Sequence, residues 1–215
     1  MRNHDRFIDQ LSGSATPVKR LWPVGWRVAA WILLVLPCGA ISSWALHGRF
    51  TDWSQPGALS ALLALLLAFM LGSGAIAGSF TLSLAGRQPL RLKWLALLAL
   101  CWLGLNLSNM TFAGAPAGAG EFGEGIHCYL FMLSASLPMV AISITALRRS
   151  RALYPGRSLA LAGCGIAFMS SLLLSLCHET HLHMIDFAMH MAAGATIIAM
   201  TVFAGRRWIR LDGRI

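Results

Sequence analysis

Residues 57–84 read GALSALLALLLAFMLGSGAIAGSFTLSL, without one charged side chain. About 20 apolar residues cross the hydrocarbon core of a bilayer, so this stretch is long enough to span one with some tilt. Gly74 and Gly78 stand in a Gly-x-x-x-Gly spacing, which serves close helix packing in membranes. Directly after it, residues 86–93 read GRQPLRLK and carry Arg87, Arg91 and Lys93. An uncharged run followed by a short basic turn is the pattern that organises the whole chain.

Five more apolar segments follow the same grammar, at about 27–46, 94–110, 126–147, 158–177 and 183–204. Pro37 lies inside the first and should kink it. Pro138 lies inside the fourth. The chain is 57% hydrophobic and only 12% charged, about half the charge of an ordinary soluble domain. The expected fold is therefore all-α, an integral membrane bundle of six transmembrane helices. Residues 26–205 form that domain. Residues 1–25 form a polar, basic lead-in too short to fold alone, and 206–215 a basic tail. The basic start is long and the first apolar run begins only near Trp26, so no cleavable signal peptide is expected.

The net charge of +9 could suggest nucleic acid, but its distribution argues otherwise. Of the 17 Lys and Arg residues, all but Arg49 fall in the N-terminal segment, the two even-numbered loops or the tail. Such asymmetry predicts that both termini and the even loops are cytoplasmic. The basic balance then reports topology, and no direct contact with nucleic acid is expected. The expected location is a membrane, crossed several times.

Histidines show the opposite bias. His47, His127, His178, His181 and His183 fall at outer ends or outer loops, and only His4 lies inside. The densest stretch is 177–190, Cys-His-Glu-Thr-His-Leu-His-Met-Ile-Asp-Phe-Ala-Met-His. These side chains bind soft or borderline metals, and the thiol can be oxidised. Cys128 lies 20 residues before Arg148, and Cys177 lies 20 residues after Arg157. At about 1.5 Å per residue both rise about 30 Å above the arginine edge, so they share one height at the outer interface. They could form a disulfide if the helix faces agree. They could instead join His127 and His178 as a Cys2His2-like set for copper, zinc or cadmium, or simply be interfacial polar residues.

The candidate metal ligands are His127, Cys128, Cys177, His178, His181, His183, Asp186 and His190. His183, Asp186 and His190 lie on one helical stripe, and an ionisable residue within a membrane helix is a functional candidate. His190 should face the bundle. Asp186, only about one turn deep, could be hydrated. Cys38, Cys101 and Cys164 read as small buried hydrophobes. Asn106, Ser108 and Asn109 are candidates for hydrogen bonds across helices. Near the N-terminus, Phe7, Ile8, Leu11 and Ala15 share one stripe of a short amphipathic helix, which could lie on lipid or dock a partner.

Several local patterns together resemble the NrsF-type membrane anti-sigma factors of bacteria, over most of the chain. Phe7-Ile8-Asp9-Gln10-Leu11 and Pro17-Val18-Lys19-Arg20-Leu21 look like that family's cytoplasmic lead-in. Leu82-Ser83-Leu84-Ala85-Gly86-Arg87 looks like the end of its second helix. His127-Cys128-Tyr129 opens the fourth, with Leu137-Pro138 within it. Leu147-Arg148-Arg149, Leu161-Ala162-Gly163 and Cys177 complete the series. The resemblance implies a protein that holds an extracytoplasmic-function (ECF) sigma factor at the inner membrane and releases it on oxidative or heavy-metal stress. It implies that Cys128 and Cys177 are the sensing pair, on the periplasmic face.

The histidines around Cys177 depart from the family pattern and tilt the signal toward metal. No cofactor is required, and a soft or borderline metal ion would act as signal. Sigma-factor anchors would be Phe7, Ile8 and Leu11, with Asp9, Lys19 and Arg20 as polar contacts. No enzymatic role is expected. The alternative is a membrane redox or metal-binding or transport protein using the outer Cys/His cluster. That rival lacks a Cys-x-x-Cys motif, a bis-histidine haem pair and ligands along the inner halves of the helices.

Overall fold

In a computed structural model, the residues described are 2–14, 22–47, 51, 53–54, 57–84, 92–112, 122–150, 154–176 and 184–211. Among them the chain forms seven helices and no strand: α1 (Arg2–Ser14), α2 (Val24–His47), α3 (Ala58–Leu82), α4 (Leu92–Phe112), α5 (Phe122–Arg149), α6 (Pro155–Ser175) and α7 (Met184–Leu211). The helices α2 to α7 are long and apolar enough to cross a membrane, over Val24–Ser42, Ala58–Leu82, Leu92–Met110, Ile126–Arg149, Pro155–Ser175 and Met184–Trp208. Six such helices suggest a multi-pass membrane protein in a lipid bilayer.

The helix ends shift by a few residues from the expected segments. Pro155 opens α6, because the missing proline N–H would be unpaired there in any case. Both α2 and α5 run unbroken through Pro37 and Pro138. The kink expected at Pro37 therefore leaves the helix assignment intact. The Gly/Ala/Pro loop at 113–120 lies outside the described residues.

At the centre stands α6, which packs against α2, α3, α5 and α7. Small residues let neighbouring backbones come close. A Cβ on Gly165 would lie 2.9 Å from the Gly72 carbonyl oxygen, and one on Gly163 would lie 2.8 Å from Ile198 Cα. Only glycine permits either approach, and such contacts carry helix association where lipid removes the hydrophobic drive. Gly74, the sequence candidate, faces elsewhere, toward the Leu95 side chain of α4.

Long core side chains fill the space around α6, among them Ile76, Phe80, Met132, Met139, Leu159, Ile166, Met169 and Ile197. Polar side chains tie the helices at fixed points. Trp31 Nε1 donates to Ser143 Oγ at 2.8 Å, joining α2 to α5. Ser79 Oγ donates to the Ser158 carbonyl at 2.7 Å, joining α3 to α6. Tyr129 and Thr196 share a hydroxyl–hydroxyl bond of 3.0 Å between α5 and α7.

The first helix stands apart. Among the described residues it makes no extensive packing with another helix. Phe7, Ile8 and Leu11 lie at 60%, 61% and 55% exposure, so the apolar stripe of α1 is not buried in the bundle.

Candidate functional site

The start of α5, the end of α6 and the start of α7 build the candidate site. Cys128 sits in the second turn of α5 and is 2% exposed, within the main core cluster. Its neighbour His127 is exposed. Successive helical residues point about 100° apart, so the two do not share a face. That spacing weakens the Cys2His2-like set as drawn from adjacency alone.

Cys177, His178, His181 and His183 lie outside the described residues, as do the candidate partner contacts Lys19 and Arg20. The end of α6 that leads to Cys177 is held by a neighbouring segment. Thr51, from the connection between α2 and α3, donates Oγ1 to the Ser175 carbonyl at 3.0 Å and N–H to the Leu176 carbonyl at 3.1 Å. The last carbonyls of a helix have no partner within it, and a capping donor holds the terminal turn in place. Thr51 is thus a clasp on the turn next to Cys177, and nothing in its local sequence signals that role.

On α7, Asp186 and His190 are 5% and 6% exposed and lie one turn apart on one face. His190 faces the bundle, as its stripe predicts. Asp186 is buried although it lies in the first turn of α7, a helix that packs on both α5 and α6. His190 lines a cavity of about 20 Å³ closed by α3, α4, α6 and α7. Asn106, Ser171 and Ser175 contribute polar walls, and Trp102 and Phe187 the aromatic ones. Their rings stack tilted at 6.1 Å, and Phe168 meets Trp102 edge-on at 5.2 Å. A space of this size holds about one water molecule. Ser171, Ser175, Trp102 and Phe187 escaped the sequence reading, because each is ordinary in type and only helix rotation brings them to His190.

Asn106 corrects the expectation of bonds across helices. Asn106 donates Nδ2 to its own helix at Trp102, at 2.7 Å, and Ser108 donates to Leu105 at 2.8 Å. Short polar side chains in a helix find a carbonyl one turn back before they reach a neighbour. The three remaining thiols also depart from the buried expectation. Cys38 and Cys164 are half-buried and Cys101 is exposed. The reason for Cys101 is that α4 packs extensively on α3 alone, so most of its surface faces outward.

Among the described residues no three His, Cys, Asp or Glu side chains gather as a metal-binding group. Half of the expected ligand set lies outside those residues. At the other end of the bundle, cations gather. Arg206 of α7 reaches across to the backbone at Gly156, in the first turn of α6. Arg148 and Arg149 close α5. Arg27 places its guanidinium 4.4 Å above the Phe80 ring, a cation–π contact favoured where water is scarce.

No protein-family profile, no curated protein and no solved structure matches this chain.

Proposed function

We propose that this protein is a membrane-bound anti-sigma factor: it holds an ECF sigma factor at the cytoplasmic face and releases it when an outer thiol pair reacts. The observation that carries the reading is α1, an amphipathic helix that exposes Phe7, Ile8 and Leu11 and makes no extensive packing with the other described helices. A short helix with three apolar anchors fits a groove on a partner protein. Asp9, Lys19 and Arg20 would add polar contacts. The arginine bias among the loops supports placing α1 in the cytoplasm of a bacterial cell.

The proposed sensor is Cys128 with Cys177. The thiols of Cys128, in the second turn of α5, and of Cys177, two residues after α6 in the chain, can lose two electrons to an oxidant and form a disulfide, with release of two protons. Alternatively, both thiolates can ligate a soft metal ion together with nearby imidazoles such as His178, His181 or His183. His127, Asp186 and His190 remain possible further ligands. Either event would pull on the outer end of α6. Because α6 packs against α2, and α2 continues from α1, a shift of α6 has a short route to the cytoplasmic segment. Turning a mostly bound partner into a mostly free one needs about 5.5 kcal/mol of differential binding. A disulfide supplies about 2–4 kcal/mol, so oxidation gives a graded release, and a tight metal site, worth more, gives a fuller one.

The test is a pull-down from membranes with the tagged full chain and with a chain lacking residues 1–25. A sigma factor retained by the first and lost from the second is the expected result. Equal retention of a sigma factor by both chains, or by neither, sinks the reading.

A further inference from the structure

A groove of about 700 Å³ runs between α2, α3 and α4, and neither a cysteine nor His190 lines it. Its floor is small: Gly25 on α2, with Ser73, Gly74 and Ala77 on α3. Trp94 and Leu98 of α4 form one wall. The groove forms where α4 packs extensively only on α3, at a run of small residues, with Leu95 of α4 closing over Gly74. Its size falls within the range of about 300–1,000 Å³ seen for small-ligand sites.

Three observations identify the occupant. First, every lining residue belongs to a helix segment apolar and long enough to cross a membrane, and the groove is open rather than enclosed. What enters from the side is therefore hydrocarbon. Second, the groove begins at one end of the bundle. Val24 lies in the first turn of α2 and Trp94 in the first turn of α4, and both Trp94 and Trp26 are exposed. Exposed tryptophans suit the level of lipid headgroups. Third, a cation stands beside that mouth. Lys93, next to Trp94, is exposed, and Arg87 and Arg91 precede it in the chain.

We infer that the groove between α2, α3 and α4 binds one anionic phospholipid, with an acyl chain over Gly25, Ser73, Gly74 and Ala77 and the headgroup at Lys93. Basic mouths between membrane helices recognise such headgroups. The chain's own α1 is a poorer occupant: it would carry Asp5, Arg6 and Asp9 out of water with no partner in an apolar groove. The inference depends on the membrane-spanning character of α2 to α4 and is independent of any sigma factor.

Native mass spectrometry of the full chain in detergent, titrated with phosphatidylglycerol or phosphatidylcholine of matched acyl chains, tests it. The wild type should retain one phosphatidylglycerol, at least about fivefold more tightly than phosphatidylcholine. Ser73→Phe and Ala77→Leu, which fill the groove, should each abolish retention. Lys93→Gln, on an exposed position, should lose about fivefold in the preference for phosphatidylglycerol while thermal stability stays unchanged. Equal binding of the two lipids by the wild type, or undiminished retention in both filled variants, overturns it. So does cross-linking that places α1 in the groove, or a dimer whose contact covers Trp94 and Leu98.

Discussion

A methyl group at Gly165 would stand 2.9 Å from the Gly72 carbonyl oxygen and 2.7 Å from Ile76 Cγ1. Backbone cannot step aside as a flexible side chain can, so Gly165→Ala should destabilise the bundle by about 1–3 kcal/mol. Gly104→Ala is the matched control. Nothing lies within 4 Å of its added methyl, so it should be neutral or stabilise by about 0.5–1 kcal/mol through helix propensity. Thermal unfolding of both variants in detergent checks the pair, and equal shifts would contradict the packing. Thr51→Val removes the hydroxyl that holds the Ser175 carbonyl. That bond is worth about 0.5–1.5 kcal/mol. The terminal turn of α6 should open more often, and maleimide should label Cys177 several-fold faster in a chain lacking the other thiols. An unchanged labelling rate would show that the clasp does not govern access. At this scale His190 was legible, because a stripe of ionisable residues on an apolar helix has only one protected side to face. Thr51 was not, since its side-chain bond partner, Ser175, lies 124 residues away in the chain.

Helix α1 is an element whose pattern speaks for itself. Its apolar residues share a stripe and the helix forms where that stripe predicts. What it binds is a separate question, and the apolar anchors decide it. Phe7→Asp or Leu11→Asp should cut sigma-factor retention at least tenfold and leave membrane insertion unchanged, as read by pull-down and carbonate extraction of the same membranes. Retained binding would mean the anchors lie elsewhere. Helix α4 makes the opposite point. Its composition resembles that of its neighbours, yet it lies at the edge of the bundle with Cys101 exposed. An element apolar on every side carries no periodicity that distinguishes lipid from protein. The number of spans could be counted from the chain, while their places in the bundle could not.

For the molecule as a whole, the proposed sensor requires Cys128 and Cys177 to face the outside and the arginine turns to face the cytoplasm. An impermeant thiol reagent applied to intact cells should label Cys177, with Cys128 protected until the protein is unfolded, because Cys128 is buried. Labelling of Cys177 only after the cells are opened would reverse the topology and remove the sensor. Cys128→Ser with Cys177→Ser should leave the sigma factor held through oxidant and metal stress alike; a normal response from that double variant would end the switch mechanism. The sequence alone predicts the six membrane-length helices found among the described residues, because length and apolarity are local properties of each segment. The central place of α6, the cavity beside His190, the Thr51 clasp and the groove at Lys93 came only from the tertiary structure. In helices apolar on most sides, rotation about the axis is set by where two glycines let backbones touch, and that depends on residues far apart in the chain.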